Sequence, residues 1–233
     1  MSATKKVVVL SCEHGGNAVP DSYKTLFEGA EEVLKTHRGY DLGALDLFCA
    51  IKSNDIFHSQ AATISRLLVD VNRSHHRRTL FSEFTKALSC EEKKRILSDY
   101  YDAYRQPFAK KVFDLWSQNK TVLHLSVHSF TPELNGHVRQ TDFGILYHPG
   151  RIEEKQFALL WKKQLKNRLP HCRVRFNYPF CGKPDGFVRY FRDREEEKYL
   201  GIEFEMNQKY AGNQEVYKHV VSAFNAALYA WRK

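Results

Sequence analysis

The sequence has no long apolar run. Its first one, residues 7–10, is far shorter than the roughly 20 residues that a membrane-spanning helix requires. The same run is too short for the apolar part of a secretory signal, so we expect neither a membrane span nor such a signal. The 233 residues contain no low-complexity linker and no internal repeat. This favours one α/β domain over residues 1–233.

Paired cysteines are also missing. The chain has five cysteines, an odd number, and no two of them form a C-x-x-C pair. This pattern excludes the usual cysteine zinc site and predicts reduced thiols, which are typical of a cytoplasmic protein. The five are Cys12, Cys49, Cys90, Cys172 and Cys181.

Positive charge is in excess. The chain has 36 lysines and arginines against 27 acidic residues, a formal net charge of +9. The basic residues are spread along the chain instead of forming one tail, which disfavours nucleic acid as a partner. A non-catalytic nucleic-acid-binding protein therefore stays only as an alternative. We favour the attraction of a small acidic substrate.

Strands and helices alternate along the chain. Short, β-branched or alternating apolar segments predict strands near residues 7–11, 62–71, 121–130, 143–147, 173–180 and 199–208. Helical spacing predicts helices over residues 41–54, about 81–119 in pieces, 153–169 and 215–231. Asp41 occupies the N-cap position of the first of these helices. Pro107 could kink or divide the long helical region over residues 81–119. We therefore expect a three-layer α/β fold, with a mostly parallel or mixed sheet and helices on both faces.

Polar residues end several of these strands. Ligands bind at the carboxyl ends of the strands in such a sheet. We expect the glycines Gly15 and Gly16 to let the backbone approach a bound group closely. His124 shares a strand face with His128 but lies deeper, so we expect it to be structural. The polar residues at the strand ends are Glu13, His14, Asp70, Asn72, Arg73, His128, Ser129, Glu203 and Glu205.

A catalytic zinc site is the chemistry that best suits two of these histidines. Two imidazoles and a carboxylate around an open position make such a site, and His14 and His128 are the imidazole candidates. The third ligand is open between three residues. Asp41 begins the helix after the first loop, although it could simply cap that helix. Glu13 is adjacent to His14 and should point to the opposite face, and His37 is the other option.

Two further segments offer substrate-binding and acid–base groups. The guanidinium of Arg73 can hold a substrate carboxylate with two parallel hydrogen bonds, and Asn72 can add a donor. The local sequence supports equally well a salt bridge from Arg73 to Asp70. Glu203 and Glu205 share one strand face. We expect Glu205, nearer the strand's end, to take a proton from water and return it to a leaving amine, with Glu203 in support.

Taken in order, the motifs resemble the N-formylglutamate amidohydrolase family. They are "SCEHGGNAVP", "HRGYDLGALDL", "RLLVDVNRS", "SVHSFTP", "GILYHPGR", "PDGFVRYF" and "GIEFEMNQ", and they span residues 7–207. The resemblance implies an α/β fold similar to zinc-dependent carboxypeptidases and metal-assisted cleavage of an N-formyl amide. It implies N-formyl-L-glutamate as substrate, formate and glutamate as products, zinc or another divalent metal as cofactor, and a place in histidine degradation.

More distant resemblances assign individual roles. "DVNRS" is similar to the element with which zinc carboxypeptidases hold a substrate carboxylate, which implies that role for Asn72 and Arg73. "EFEMN" is similar to the segment with their general base, which implies Glu205. "HGG" followed by D-x-G-A resembles cell-wall zinc amidases, in which the helix carboxylate binds metal, and this implies Asp41. The chain departs from the carboxypeptidase His-x-x-Glu spacing, because Asn17 stands three residues after His14.

A substrate with two carboxylates needs a cationic partner for each of them. Arg73 can serve one, and Arg189 or Arg192 in "DGFVRYFR" is the candidate for the other. Arg73 or another arginine is also the candidate for stabilising the oxyanion. The enzyme alternatives are a zinc amidase acting on another N-acylated amino acid and a peptide-cleaving relative of the carboxypeptidases.

Overall fold

A six-stranded sheet forms the centre of the protein. A computed structural model describes residues 5–52, 55–195 and 197–233. The spatial order of the sheet is β2-β1-β3-β8-β6-β7, and a two-stranded hairpin of β4 and β5 lies apart from it. The strands are β1 (Lys6–Cys12), β2 (His58–Ala61), β3 (Thr121–Phe130), β4 (Glu133–Leu134), β5 (His137–Val138), β6 (Phe143–Leu146), β7 (Val174–Phe176) and β8 (Tyr199–Asn207).

The sheet is mixed. Strands β2, β1, β3 and β8 run parallel, β6 is antiparallel to β8, and β7 is parallel to β6. The central strands β1, β3 and β8 therefore end at the same edge. The register pairs His128 of β3 with Glu205 of β8. Topology alone thus brings three of the polar strand endings together.

Helices cover both faces of the sheet. One face carries α2, α5 and α7, and its core includes Trp161 stacked on Phe204 with ring centroids 4.4 Å apart. The other carries α4 and α6, with Phe108 and Phe187 in its core. This confirms the predicted three-layer α/β class with a mixed sheet. The helices are α1 (Glu31–Leu34), α2 (Ala44–Ile51), α3 (Cys90–Ile96), α4 (Ala103–Ser117), α5 (Ile152–Arg168), α6 (Phe187–Arg192) and α7 (Gln214–Arg232).

The prediction of a strand over residues 62–71 is wrong. The strand beside β1 is β2, and it ends at Ala61, just before that segment. Residues 62–71 form turns with one isolated bridge, Ala18 to Ile64. Their apolar side chains, such as Leu68 and Val69, are buried against the second helical layer instead. The apolar pattern of this segment reflects burial. The segment forms no strand, because β2 already pairs with the edge of β1.

The helix predicted over residues 41–54 is shorter than expected. It runs over Ala44–Ile51, and the last two residues of the prediction, 53–54, lie outside the described residues. Its N-cap is Gly43 at φ 77°, a left-handed conformation that favours glycine, so Asp41 does not cap it. The region 81–119 does fall into pieces. Its break, however, is a π-helix over Leu97–Asp102, upstream of Pro107, which lies within α4.

Among the described residues, none of the helices combines the length and the apolarity needed to cross a bilayer.

Candidate metal centre

Three predicted ligands meet at the shared edge of β1 and β3. His14, Asp41 and His128 are buried, and each offers a ligand atom within 4.8 Å of the others. Nδ1 of His14 lies 3.5 Å from Oδ2 of Asp41, and Nδ1 of His128 lies 2.8 Å from the same oxygen. The two imidazole centroids are 5.1 Å apart. The group has the composition of a zinc site with three protein ligands.

The fold explains why these side chains converge. His14 follows the end of β1, and His128 lies near the end of the parallel neighbour β3. Asp41 belongs to the loop before α2, and its N–H donates to the carbonyl of His14 at 2.9 Å. This backbone bond fixes the loop above the strand ends, so the carboxylate reaches both imidazoles.

A carboxylate stands behind each imidazole. Nε2 of His14 lies 2.7 Å from Oδ1 of Asp70, and Nε2 of His128 lies 3.0 Å from Oε2 of Glu13. Each carboxylate favours a proton on Nε2, so Nδ1, the nitrogen on the side of Asp41, is the one that would bind a metal. Nδ1 of His14 is buried and has no hydrogen-bond partner among the described residues. A metal ion would satisfy that nitrogen, so the residues present fit a divalent cation.

Charge keeps these supporting groups ionised. Burial acts to raise the pKa of Glu13, but the hydrogen bond and charge of His128 lower it to about 2. Burial likewise opposes the charge and hydrogen bond of His14, which hold the pKa of Asp70 well below its usual range. Burial lowers the pKa of His128, but its bonds to Asp41 and Glu13 raise it well above its usual value.

Arg66 is a site residue that the sequence reasoning missed. Its guanidinium forms an ion pair with Oδ1 of Asp41. Burial acts to raise the pKa of Asp41, but the charges of Arg66 and His14 and the hydrogen bond to His128 lower it well below its usual range. Arg66 falls within the segment predicted as a strand, where no spacing rule would have pointed it at Asp41.

The placement of Glu13 differs from the expectation. Alternation along a strand predicts that it points away from His14, but β1 ends at Cys12, so the alternation does not extend to Glu13. Its carboxylate is buried behind His128, where Ser126 also donates to it at 2.5 Å. His37, the other alternative ligand, is exposed at the rim of the cavity and is not in the cluster.

Gly16 serves the fold and not a bound group. A Cβ at this position would lie 2.3 Å from the carbonyl oxygen of Thr63, so the glycine allows the two loops to touch. The close approach expected of the glycines thus occurs between chain segments.

Glu205 has no ion-pair partner among the described residues. It is 5% exposed, and its Oε2 is buried with no hydrogen-bond partner in the described chain. Burial raises its pKa to about 8, with further contributions from the charges of Asp41 and Glu203 and an opposing one from His128. Such an acid is poised to exchange a proton near neutral pH. Glu203 lines the same cavity, as its shared strand face predicts.

A cavity of about 410 Å³ opens above these residues. Three arginines line it: Arg66, Arg73 and Arg139. Arg139, which follows the β4–β5 hairpin, was also missed by sequence reasoning, because its position depends on that hairpin. A ring of apolar and polar side chains completes the wall, and its members include Phe130, Thr131, Leu134, Leu146, Phe180 and Pro184.

Asn72 and Arg73 reach the cavity from a loop and not from a strand end. Arg73 is 33% exposed at its side chain, with Nε 3.8 Å from Oδ2 of Asp70 and Nη1 3.3 Å from the carbonyl of Asp185. The side-chain oxygen of Asn72 accepts from the N–H of Phe187 at 2.7 Å. The amide nitrogen of Asn72 and much of the Arg73 guanidinium remain available to a ligand.

Arg189 and Arg192 lie outside this cavity. Arg192 is buried and bonds Oε1 of Glu154 at 2.9 Å and the carbonyl of Gly201 at 2.6 Å, so it ties α6 to β8 and α5. Arg189 is exposed and pairs with Asp193 at 3.2 Å. The structure thus brings neither of them to the position expected for a second substrate carboxylate, and Arg66 and Arg139 occupy the cavity instead.

Comparison with known proteins decides the family. A family model described as N-formylglutamate amidohydrolase matches residues 7–211. The chain belongs to the N-formylglutamate amidohydrolase family. This confirms the family resemblance of the motifs and makes the protein an amidohydrolase, a class of enzyme. A search of curated proteins found no match.

Solved structures share the fold. The gene product Atu2144 of Agrobacterium tumefaciens aligns with a TM-score of 0.80 at 21% identity, over 99% of this chain and 94% of that one. An N-formylglutamate amidohydrolase of Ralstonia eutropha JMP134 aligns with a TM-score of 0.72 at 17% identity, over 98% and 95%. At these identities the likeness concerns the fold alone.

Proposed function

We propose that the protein is a metal-dependent amidohydrolase that cleaves the amide of an N-formylated acidic amino acid, with N-formyl-L-glutamate as the substrate and zinc as the metal. One observation carries the proposal. Two buried imidazoles, each with a carboxylate at Nε2, turn Nδ1 towards one shared carboxylate, and Nδ1 of His14 has no hydrogen-bond partner among the described residues. The family supports a small N-formyl amino acid as the substrate.

His14, Asp41 and His128 would hold the metal. When bound, the ion supplies Lewis acidity that polarises the amide carbonyl and acidifies water. Asp70 and Glu13 keep the two imidazoles in the tautomer that coordinates through Nδ1. Arg66 holds the second oxygen of Asp41, which limits that carboxylate to one free oxygen.

Glu205 moves the proton. Its carboxylate accepts a proton from the attacking water and returns it to the nitrogen that leaves with the amino acid. The burial that raises its pKa to about 8 makes the protonated form accessible for the second step. Oε2, which has no hydrogen-bond partner among the described residues, is the proposed acceptor.

The arginines bind the acidic substrate. Arg73 and the amide of Asn72 would bind one carboxylate, and Arg139, which lines the same cavity, the other. A guanidinium near the carbonyl also stabilises the negative charge that develops on its oxygen. The cavity of about 410 Å³ suits a small molecule.

A substrate panel tests this proposal. N-formyl and N-acetyl derivatives of glutamate, aspartate, glutamine and leucine are incubated with the zinc-, cobalt- or manganese-loaded protein, with and without chelator. We expect fastest release of formate from N-formyl-L-glutamate and loss of activity with chelator. Absence of deacylation with every metal would refute the catalytic proposal. Faster cleavage of an N-acetyl or neutral compound would mean that the substrate is another N-acyl amino acid.

A further inference from the structure

A second cavity, larger than that of the metal centre, lies on the other side of the Arg73 loop. Its volume is about 1080 Å³, and it lies between residues 74–77, α4 and α6. Pro184 and Asp185 line both cavities, so a thin wall separates them. None of the proposed catalytic groups lies in it. The proposed catalytic reaction therefore does not account for this cavity.

A buried arginine forms its floor. Arg105 is 6% exposed, and its guanidinium lies 4.4 Å from the ring centroid of Phe187 and 5.0 Å from those of Tyr101 and Tyr190. Nη1 donates to the carbonyl of Val71 at 2.8 Å. Nε and Nη2 make no hydrogen bond to any other described residue. One edge of the guanidinium is thus left for a ligand.

Arg105 also lacks a counter-ion among the residues that the structure describes. It forms no salt bridge within the described residues, although a buried charge is costly unless it is paired. Two other cations of the cavity have acidic partners, since Arg77 lies 3.5 Å from Asp185 and Arg189 lies 3.2 Å from Asp193. Burial lowers the pKa of Arg105, which expresses the same cost. A bound anion would remove it.

The lining limits the kind of anion. Five lysine or arginine side chains and four aspartates line the cavity, a near balance that suits one small anion and not a polyanion such as nucleic acid. Aromatic side chains form part of the wall: Tyr101, Phe113 and Tyr190. We propose that this cavity is a second ligand site, which binds a small organic anion with a flat ring and places its carboxylate or phosphate on Arg105.

The proposed site would contact the backbone of the Arg73 loop. Nη1 of Arg105 reaches the carbonyl of Arg73 at 3.4 Å, and the hydroxyl of Tyr101 donates to the same carbonyl at 2.7 Å. The two residues thus contact the backbone of Arg73, whose side chain lines the metal cavity. The ligand is nevertheless separate from the substrate, because its anionic group binds a different arginine.

Calorimetric titration of the full chain with benzoate and with phenyl phosphate tests the proposal without any measurement of turnover. Acetate and inorganic phosphate are the ring-free comparisons. We expect saturable binding of at least one ring-bearing anion, tighter than that of its ring-free counterpart. Arg105→Gln should weaken it at least about tenfold, because a hydrogen bond to a charged group is lost. Arg95→Gln, an exposed change of the same charge in α3, should leave it unchanged.

Two more variants keep the test decisive if Arg105→Gln does not fold. Gln106 is exposed and lines the cavity without a hydrogen bond to the described chain, so Gln106→Glu adds a negative charge and removes no described contact. It should weaken binding several-fold. Arg73→Ala should not. No saturable binding, binding as tight in Gln106→Glu as in the wild type, binding lost only in Arg73→Ala, or equal binding of the ring-free anions overturns the proposal.

Discussion

Two histidines of one strand, His124 and His128, show how environment decides the role of a residue. Both lie on β3 and both are buried. His124 sits between two hydroxyls, with Nε2 2.7 Å from Oγ of Ser11 and Nδ1 2.7 Å from the hydroxyl of Tyr199, and burial lowers its pKa to about 3. His128 sits between two carboxylates, and its pKa is raised well above its usual value by their bonds after the opposing effect of burial.

The difference comes from position along the strand. In the middle of the sheet the neighbours of His124 are aromatic, and the ring of Phe108 is 4.8 Å away. At the carboxyl end, the segment that follows the neighbouring strand β1 supplies two acids around His128, Glu13 and Asp41. A histidine in the middle satisfies its nitrogens and packs, whereas one at the end can share a cation with acids from several loops.

Loss of a histidine at the strand ends should abolish metal binding. We expect His14→Ala and His128→Ala to purify without stoichiometric zinc, as measured by inductively coupled plasma mass spectrometry, because two protein ligands do not complete the site. His124→Asn, the matched change in the middle of the strand, should keep one zinc per chain and lose only stability. Zinc loss in His124→Asn, or zinc retained in both alanine variants, would contradict the contrast.

Loss of the Glu205 carboxylate should abolish turnover and leave the metal bound. Glu205→Gln preserves shape but cannot accept a proton, so we expect kcat to fall roughly 10²–10⁴-fold with one zinc retained. The measurement is steady-state release of formate together with metal content. Loss of metal in this variant would instead make Glu205 a ligand.

The carboxylates behind the imidazoles should tune affinity for the metal. We expect Asp70→Asn and Glu13→Gln each to weaken zinc binding about 10–100-fold, because the amides no longer fix the Nδ1 tautomer as strongly. Competition with a chromophoric chelator measures this. Asp46→Asn, an exposed change in α2, is the control. Affinities equal to that of the control would mean that these acids support the fold alone.

The raised pKa of Glu205 should appear in the stability of the metal-free protein. Its folded-state value of about 8 exceeds the usual 4.5, so the folded state holds the proton more tightly. Its contribution to the free energy of unfolding is therefore present below about pH 4.5 and declines up to about pH 8. Urea unfolding at several pH values should show wild type losing stability relative to Glu205→Gln over this window. A constant difference would argue against the shift.

Sequence alone could predict the parts of the site that depend on sheet topology. His14 and His128 meet because β1 and β3 are parallel neighbours, and the pairing of β3 with β8 adds Glu205. The rest depends on loops. Strand alternation could not place Glu13, which lies beyond the end of β1, and no local pattern indicates that Arg66 pairs with Asp41.

The arginines of "DGFVRYFR" show the same limit. Helical spacing cannot tell which face of α6 packs on the sheet, and Arg192 turns out to be a buried partner of Glu154. The segment over residues 62–71 failed for a related reason, because an apolar run reports burial without saying whether a strand edge is free.

The most direct test of the central claim is a crystal structure of the zinc-loaded protein, with diffraction recorded on both sides of the zinc absorption edge. We expect one strong anomalous peak per chain, from an ion bound by Nδ1 of His14, Nδ1 of His128 and one oxygen of Asp41, with Nε2 of each imidazole hydrogen-bonded to its carboxylate. A zinc ion held by other residues, or no ion between these three side chains, would contradict it.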